Sequence, residues 1–305
     1  MTLGVVGDIV QDVVVYTLAP FAPGSDTPSR IERRRGGSAA NVAAAASGLT
    51  ATRFIGCVGD DRTGRELADS LPGVDVRLQI TPEARTGSIA VLIGSDGERH
   101  MFPDRGANAC LTSIDPSWLD GLALLHATAY SLDGGSTASA VTDAINRAHD
   151  AGVIVSLDVS SVALIRQIGV DEFTAMVDAL HPAIVFANAA EAAALGWDVL
   201  QPTTHPGHPA ERRISQAGSP HGRLVFVKDG SRPALVRAPA GAWTVPTTPI
   251  PAPDTTGAGD AFAAGVLAHI VNAGMTRDDV LKIDESTAKQ LVIAGHASAT
   301  AWLSR

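Results

Sequence analysis

The sequence is poor in aromatic residues and in basic charge, and each shortage excludes a class of protein. Phe, Trp and Tyr make up 4% of the 305 residues, too few to form a stacking platform for single-stranded nucleic acid. Lys and Arg number 23 against 32 Asp and Glu, a formal net charge of −9. This balance argues against a broad nucleic-acid surface. We therefore expect no nucleic-acid partner, and any phosphate must be bound by a local site.

Cysteine and long apolar runs are also scarce. The two cysteines, Cys57 and Cys110, show no CxxC spacing, which is typical of a protein from a reducing cytoplasm rather than a secreted one. Asp8 and Asp12 interrupt the apolar amino terminus, so we expect no signal peptide there. No run of 18 apolar residues free of charges occurs, and we expect no membrane span. The predicted location is cytoplasmic.

What the sequence has in quantity is a repeated pair of elements, a short β-branched run followed by an Ala-rich helical stretch. Strands that alternate with helices of this length predict an α/β fold, with a central, mostly parallel sheet and helices on both faces. We also expect a long carboxy-terminal helix over Ser286–Leu303. The predicted strand and helix pairs are Leu3–Val6 with Ser38–Ser47, Arg53–Val58 with Arg62–Leu71, Leu122–Ala127 with Thr137–Asp150, Val153–Leu157 with Val162–Leu180, Ala183–Phe186 with Ala189–Leu195, and Leu224–Val227 with Ala258–Ala273.

Two regions, residues 9–35 and 74–104, contain alternating polar and apolar runs instead. Such runs favour antiparallel hairpins, and we expect the two regions to meet as a small β-sheet lid inserted in a single domain over residues 1–305. An exposed face on this lid would favour a homodimer. The runs are Asp12–Thr17, Arg30–Arg34, Val74–Ile80, Thr86–Ile93 and Arg99–Pro103.

Residues 198–222 are rich in Pro, Gly and His and contain His205, His208 and His221. This composition is typical of an irregular segment. We expect a solvated loop there rather than a metal site.

The segment Asp254–Phe262, DTTGAGDAF, precedes a predicted long helix and carries the strongest chemical signal. Its glycines allow the amides of Gly257, Ala258 and Gly259 to point at one spot, and the helix adds the positive end of its dipole. Asp260 places a carboxylate beside this anion hole, where it can accept the proton of an attacking hydroxyl. We expect the helix N-terminus to favour the ionised form. The alternative is an ordinary loop with an N-capping aspartate.

Three segments together resemble the ribokinase-like sugar and nucleoside kinases, also called the PfkB family. They are GGSAANVA at 36–43, GCVGDDRTG at 56–64 and DTTGAGDAF at 254–262, and the resemblance extends over essentially the whole chain. It implies transfer of the γ-phosphate of ATP to an alcohol. Asp260 is implied as the base, and the amides of Gly257, Ala258 and Gly259 as the groups that stabilise the moving charge.

The same resemblance implies residues for the metal and the nucleotide. Asn188 and Glu191 match an N-x-x-E element that organises Mg²⁺ and the phosphates, largely through water; the alternative is an acidic residue that complements a helix dipole. Lys228 and Gly230 resemble a loop beside the adenosine, and Thr256 is implied as an ATP contact. The resemblance also allows a monovalent cation near Asp254.

The sequence departs from the family pattern at three places. Pro233 stands where a second glycine is usual, and Ser38 where close ribokinase relatives have lysine. Leu157–Ser161 lacks the asparagine and the phosphate-binding arginine of a D-P-N-x-R element. These departures indicate a divergent subgroup.

For the acceptor, Asp8, Asp12, Gly37 and Asn41 offer carboxylate and amide groups that hydrogen-bond sugar hydroxyls. Arg105 and Asn108 belong to a stretch that resembles a G-A-N element at the end of the second lid hairpin. Asp8 could instead be a turn residue, and Asp12 a strand-edge residue.

We favour a small sugar as acceptor over a nucleoside. A nucleoside would need apolar walls, for which the predicted lid offers Tyr16, Met101 and Phe102. The alternative from another class is a sugar or nucleotide sensor that binds without turnover, since fold alone does not establish catalysis. Retention of Asp260 with an intact GAG favours the enzyme.

Overall fold

The computed structural model describes residues 1–96, 98–197, 200–202, 212–214, 222–249 and 254–305. Strands and helices alternate along most of the chain, as the sequence predicts. The strands are β1 (Thr2–Val6), β2 (Val10–Thr17), β3 (Ser29–Gly36), β4 (Thr52–Gly59), β5 (Val74–Thr81), β6 (Ser88–Ile93), β7 (Arg99–Asp104), β8 (Leu122–Thr128), β9 (Ile154–Asp158), β10 (Ile184–Asn188), β11 (Leu200–Pro202), β12 (Arg212–Ile214), β13 (Leu224–Lys228), β14 (Ala234–Ala238) and β15 (Gly241–Val245).

The longer helices lie close to their predicted positions. Val162–Leu180, predicted as one helix, is two helices, because Gly169 has a φ of 98° and ends the first of them. The α-helices are α1 (Ser38–Ala46), α2 (Arg62–Asp69), α3 (Gly135–Asp150), α4 (Val162–Ile168), α5 (Val170–Ala179), α6 (Ala189–Ala194), α7 (Ala258–Asn272), α8 (Arg277–Leu281) and α9 (Glu285–Leu303).

Nine strands form the central sheet, in the order β15-β14-β13-β10-β9-β8-β1-β4-β5. The seven strands from β13 to β5 pair in parallel, while β14 and β15 form an antiparallel hairpin at one edge that the sequence reading did not anticipate. Alternate side chains of the sheet enter two separate cores. Helices α1, α7 and α9 contribute to one core, and α3, α4 and α5 to the other. The α/β fold with helices on both faces is confirmed.

A second sheet has the order β3-β2-β6-β7 and covers one edge of the site described below; we call it the lid. Four of the five predicted lid runs are in it. The fifth, Val74–Ile80, was assigned wrongly, because β5 pairs in parallel with β4 over eight residues as an edge strand of the central sheet. An edge strand is half exposed and therefore shows the same alternation as a lid strand.

The predicted loop at 198–222, with His205, His208 and His221, lies outside the described residues apart from β11, β12 and Gly222. In the part of the chain that is described, no helix combines the length and the apolar character that crossing a bilayer requires.

Candidate active site

A cleft of about 1170 Å³ lies between the lid and the carboxyl ends of the central strands. In an open α/β sheet these strand ends are the usual ligand site. The structure brings all of the predicted site residues to this cleft, although they come from distant parts of the sequence. They are Asp8, Asp12, Gly37, Asn41, Arg105, Asn108, Asn188, Glu191, Lys228, Gly230, Thr256, Gly257, Ala258, Gly259 and Asp260.

The predicted anion hole centres on Gly257, which precedes helix α7 with a left-handed φ of 77°. A side chain there would also meet the indole of Trp302, whose Nε1 donates to the Thr256 carbonyl at 2.9 Å. The amide of Ala258 donates to Thr255 O at 3.1 Å and is therefore already engaged. Within the described residues, the amides of Gly257 and Gly259 have no such partner and remain available for an anion.

Asp260 lies in the first turn of α7, half-buried at the floor of the cleft. Its Oδ1 accepts from Ser38 Oγ at 2.7 Å, and its Oδ2 accepts from Asn41 Nδ2 at 3.0 Å. Burial and the nearby charge of Asp158 raise the pKa of Asp260 to about 6, against the lowering effect of Asn41, Ser38 and Lys228. The pKa of Asp260 is therefore raised rather than lowered, yet at about 6 it leaves Asp260 mostly ionised at neutral pH, as expected.

Ser38 is a site residue that sequence reasoning recorded only as a departure from the family. Gly37 has a φ of 98°, and a Cβ there would lie 2.5 Å from the carbonyl oxygen of Asp8, so glycine lets the chain turn directly into α1. Ser38 then begins the helix with its hydroxyl against Asp260. Asn41 lies one turn later and also accepts from Arg35 Nη1 at 2.9 Å.

Asp8 and Asp12 differ in how their carboxylates are engaged. The oxygens of Asp8 accept from the amides of Ser38 and Ala39 at 3.0 and 3.3 Å, so Asp8 caps α1 from outside the helix. Asp12 is 5% exposed and lies on β2, an inner strand of the lid rather than a strand edge. Its Oδ1 is buried without a hydrogen-bond partner in the described chain. Burial raises the pKa of Asp12, while Arg34 and Arg99 lower it.

Asn108 and Arg105 line the cleft but use most of their hydrogen-bonding groups on the protein. Asn108 exchanges two 3.0 Å hydrogen bonds with the backbone of Ile9 and donates again to Arg105 O at 3.1 Å. Both amide hydrogens are thereby used, and the side chain joins the segment after β7 to the segment between β1 and β2. Arg105 donates to Tyr130 O at 2.9 Å and lies 3.4 Å from Asp133 Oδ2.

Asn188 and Glu191 form a reciprocal capping box at the start of α6. Asn188 N donates to Glu191 Oε2 at 2.8 Å, and Glu191 N donates to Asn188 Oδ1 at 2.9 Å. The structure therefore contains the alternative arrangement, an acidic residue in the first turn of a helix. The same two residues also line the cleft. Burial, and then the charge of Asp158, raises the pKa of Glu191.

Asp158 and Lys228 form a buried ion pair of 2.8 Å between the ends of β9 and β13. Lys228 Nζ also lies 3.4 Å from Gly259 O, beside the predicted anion hole. Burial lowers the pKa of Lys228, but Asp158 and the other carboxylates more than offset it and raise that pKa above its usual value. Sequence reasoning treated Asp158 only as part of a departure from D-P-N-x-R, because a strand-end aspartate carries no signal of its partner 70 residues away.

Two lid arginines reach across to the segment before the anion hole. Arg34 Nη1, from β3, bonds Asp254 Oδ2 at 3.0 Å. Arg99 Nη1, from β7, donates to Thr256 Oγ1 at 2.5 Å. The lid is thus tied directly to the loop that leads to Gly257.

The suggested apolar walls for a nucleoside base do not share one face of the lid. Met101 lines the cleft. Phe102, the next residue of β7, is 61% exposed, as alternation along a strand requires. Tyr16 carries the guanidinium of Arg30 over its ring at 4.6 Å.

Both the sequence and the structure of this chain are similar to those of known proteins. Residues 2–304 match the sequence model of the family described as pfkB family carbohydrate kinase. An ATP-dependent ribose-1-phosphate kinase from Halopiger xanaduensis is 34% identical over 264 residues, which cover 83% of this chain and 79% of that protein. The structure of a fructokinase with bound ATP from Xylella fastidiosa has a TM-score of 0.80 at 22% identity, covering 100% of this chain and 92% of the other. A structure described as a putative ribokinase II with ATP and Mg²⁺ from E. coli has a TM-score of 0.75 at 22% identity, covering 100% and 93%.

Proposed function

Since this chain belongs to the pfkB family of carbohydrate kinases, we propose that it transfers the γ-phosphate of ATP to a hydroxyl of a small sugar, with Asp260 as general base. The observation that carries the assignment is the position of Asp260, one residue after the free amide of Gly259 and open to the same cleft. A base and an oxyanion site side by side are what phosphoryl transfer to an alcohol needs.

In this mechanism the residues act mainly by position and charge. The acceptor hydroxyl gives its proton to Asp260 as its oxygen bonds to the γ-phosphorus, and the bond to the β,γ-bridging oxygen of ATP breaks. The amides of Gly257 and Gly259 stabilise the oxygens of the group in transit, with Lys228 adding a positive charge beside them. Ser38 and Asn41 hold the carboxylate of Asp260 in one orientation. The lid excludes water, which would otherwise compete for the phosphoryl group.

The acceptor is proposed to lie against the lid, among Asp8, Asp12, Gly37 and Asn41. Asp12 supports this placement, because its Oδ1 is buried without a partner in the described residues and needs a hydroxyl donor. Arg105 keeps part of its guanidinium open to the cleft. Asn108 supports the same region indirectly, by fixing the backbone of Ile9.

The nucleotide is proposed to lie on the opposite side, along Asn188, Lys228, Gly230 and Thr256. Two neighbours of the same fold are described with ATP bound, one of them with Mg²⁺, which supports ATP as the donor. A monovalent cation near Asp254 stays a prediction, and the Arg34 guanidinium already pairs with that carboxylate.

Glu191 and Asn188 fit a Mg²⁺ ion that reaches the protein largely through water. Their oxygens suit this ion, which usually takes few protein ligands and keeps several waters. No group of three His, Cys, Asp or Glu side chains arranged for a metal occurs in the described part of the chain. The phosphates of ATP would therefore supply the remaining ligands. Bound there, the ion neutralises phosphate charge.

Glu191→Gln is expected to raise the Mg²⁺ concentration for half-maximal rate by about tenfold or more, because it removes a buried charge from the ion's surroundings. The measurement is initial rate against Mg²⁺ at saturating ATP. Glu172→Gln, at an exposed position on α5, is the matched control. Thermal melts detect any loss of the α6 capping box. An unchanged Mg²⁺ requirement would remove Glu191 from the metal site.

The experiment that tests the proposed function is ADP release by the purified protein with Mg-ATP, measured against pentoses, ketohexoses, sugar acids, sugar phosphates and nucleosides. Acceptor-dependent turnover with a sugar is the expected result. Turnover only with nucleosides would select the nucleoside kinase instead. ATP binding without turnover on any acceptor would favour the sensor.

A homodimer through the lid is part of the proposal. The lid face away from the cleft carries an apolar patch in which Ile31 and Phe102 are 57% and 61% exposed. Phe102 pairs with Ala90 and Ile31 with Val15, and β2 joins β6 through Val15 and Leu92, so the patch extends across the sheet. Both cysteines are free, which supports the proposed cytoplasmic location.

Phe102→Asp is expected to convert the dimer to a monomer, because a charge at the centre of an apolar interface is costly to bury. Sedimentation velocity at several concentrations measures the change. Phe21→Asp, at a residue that is 70% exposed in the loop between β2 and β3, provides the control. A dimer that survives Phe102→Asp would place the interface elsewhere.

A further inference from the structure

Arg34 has one guanidinium nitrogen without a hydrogen-bond partner among the described residues. Its Nη1 pairs with Asp254, but its Nη2 is buried and has no partner in the described residues. Arg34 is also the register partner of Asp12 in the antiparallel β2 and β3 pair, and paired residues share a face of the sheet. A buried N–H without an acceptor is unfavourable, so this group requires an oxygen that the described residues do not supply.

Arg99 presents a second guanidinium on the same side of the lid. It lines the cleft, and its hydrogen bond in the described structure is to the neutral hydroxyl of Thr256. That partner is uncharged, and no carboxylate of the described residues forms an ion pair with Arg99. Its charge is therefore available to a ligand.

Both arginines act on Asp12, the proposed acceptor contact, and each also contacts the loop that leads to Gly257. After burial, which raises the pKa of Asp12, the largest opposing effects come from Arg34 and then Arg99. Asp260 is instead influenced by Lys228. Lys228 lies beside Gly259, whereas the two lid arginines lower the pKa of Asp12.

We propose that Arg34 and Arg99 bind an anionic oxygen of the acceptor, and that the acceptor is therefore an anionic sugar, a sugar phosphate or a sugar acid, rather than a neutral one. This inference rests on the proposed function. The hydroxyls of a neutral sugar are served by carboxylates and amides such as Asp12 and Asn41. Two guanidinium groups match phosphate or carboxylate oxygens through charge-assisted hydrogen bonds. The name of the relative from Halopiger xanaduensis, a ribose-1-phosphate kinase, is consistent with this class.

The test compares charged and neutral forms of the same sugar. Initial rates are measured with ribose, ribose 1-phosphate and ribose 5-phosphate, with fructose and fructose 1-phosphate, and with glucose and gluconate. Calorimetric titration of each compound without ATP reports acceptor binding independently of turnover. The variants are Arg34→Gln, Arg99→Gln and the double variant. Arg62→Gln, on α2 and 88% exposed, is the control.

We expect at least one anionic sugar to exceed its neutral parent by about 100-fold in kcat/KM and in binding. Each Gln variant should lose most of that preference, because its kcat/KM should fall far more on the anionic sugar than on the neutral parent. Comparing the rates and affinities of the sugar phosphates with those of gluconate identifies whether the site accepts a phosphate or a carboxylate.

Three results would overturn the inference. One is a neutral sugar that binds or reacts as well as its charged forms, which leaves the kinase function intact. Another is an equal loss of kcat on charged and neutral acceptors in the arginine variants, which would place the arginines on the phosphate in transit. The third is an absence of binding by every anionic sugar. If no compound turns over although an anionic sugar binds with arginine dependence, the proposed kinase function fails and the ligand class stands.

Discussion

Asp260→Asn is expected to lower kcat by about 10²–10⁴-fold, the usual contribution of a general base, with little change in the Kd for ATP. Asparagine keeps the volume of the side chain and can still accept from Ser38, but it cannot take up the proton of the acceptor hydroxyl. Single-turnover rates and ATP binding are measured in parallel. Asp229→Asn, at the cleft rim where Asp229 pairs with Arg232, provides a nearby carboxylate for comparison. Near-normal turnover by Asp260→Asn would show that another group is the base.

The pH profile gives a second measurement of the same residue. Burial and Asp158 place the pKa of Asp260 at about 6, and the base works only when it is ionised. Wild-type kcat/KM should therefore be constant above about pH 7 and fall tenfold per pH unit well below pH 6. The small residual rate of Asp260→Asn should lack this inflection. An inflection that persists in the variant would belong to a different group.

Asp12→Ala is expected to lower kcat/KM for the acceptor by about 10²–10³-fold, mostly through KM, because about two hydrogen bonds to a charged group are lost. KM for ATP should change little, since Asp12 lies on the lid. Asp26→Ala removes an exposed lid carboxylate in the loop between β2 and β3 and is the control. Equal KM values in wild type and Asp12→Ala would exclude Asp12 from the acceptor site.

Removing the charge of Asp12 should stabilise the free protein, although replacing Asp12 weakens its use of the acceptor. The buried Oδ1 of Asp12 has no partner within the described structure, and such a group destabilises the free protein. Asp12→Asn keeps the shape and removes the charge, so its free energy of unfolding is expected to rise by about 1 kcal/mol. Thermal and denaturant unfolding measure this change. A less stable Asn variant would mean that Asp12 contributes to folding through Arg34.

Sequence periodicity predicted the parallel strands and the main helices because burial on both sheet faces leaves continuous apolar runs, as in Leu224–Val227. It assigned Val74–Ile80 to the lid because alternation reports a half-exposed strand and not its sheet. The break at Gly169 was missed for a related reason: a helical pattern continues on both sides of it. The local alternation of polar and apolar residues reports how exposed a strand is, whereas the strand it pairs with depends on the tertiary structure.

The candidate site was predictable where the chemistry lies within one short segment. Asp260 with its glycines, and Asn188 with Glu191, are of this kind. The roles of Ser38 and Asp158 were not predictable, because each depends on a partner distant in sequence, Asp260 for Ser38 and Lys228 for Asp158. Asn108 was predicted as a substrate contact. Only the fold shows that both of its amide hydrogens are donated to backbone carbonyl oxygens.

The lid is made of two hairpins that meet through the parallel pairing of β2 with β6. Between these strands the chain runs through β3, α1, β4, α2 and β5, so the pairing closes a loop of about 70 residues at an entropic cost that the local hairpins do not bear. Contacts of such high sequence separation form slowly. The lid sheet is therefore expected to be completed after the first strands and helices of the central sheet, and the acceptor compartment would take shape only once these elements have formed.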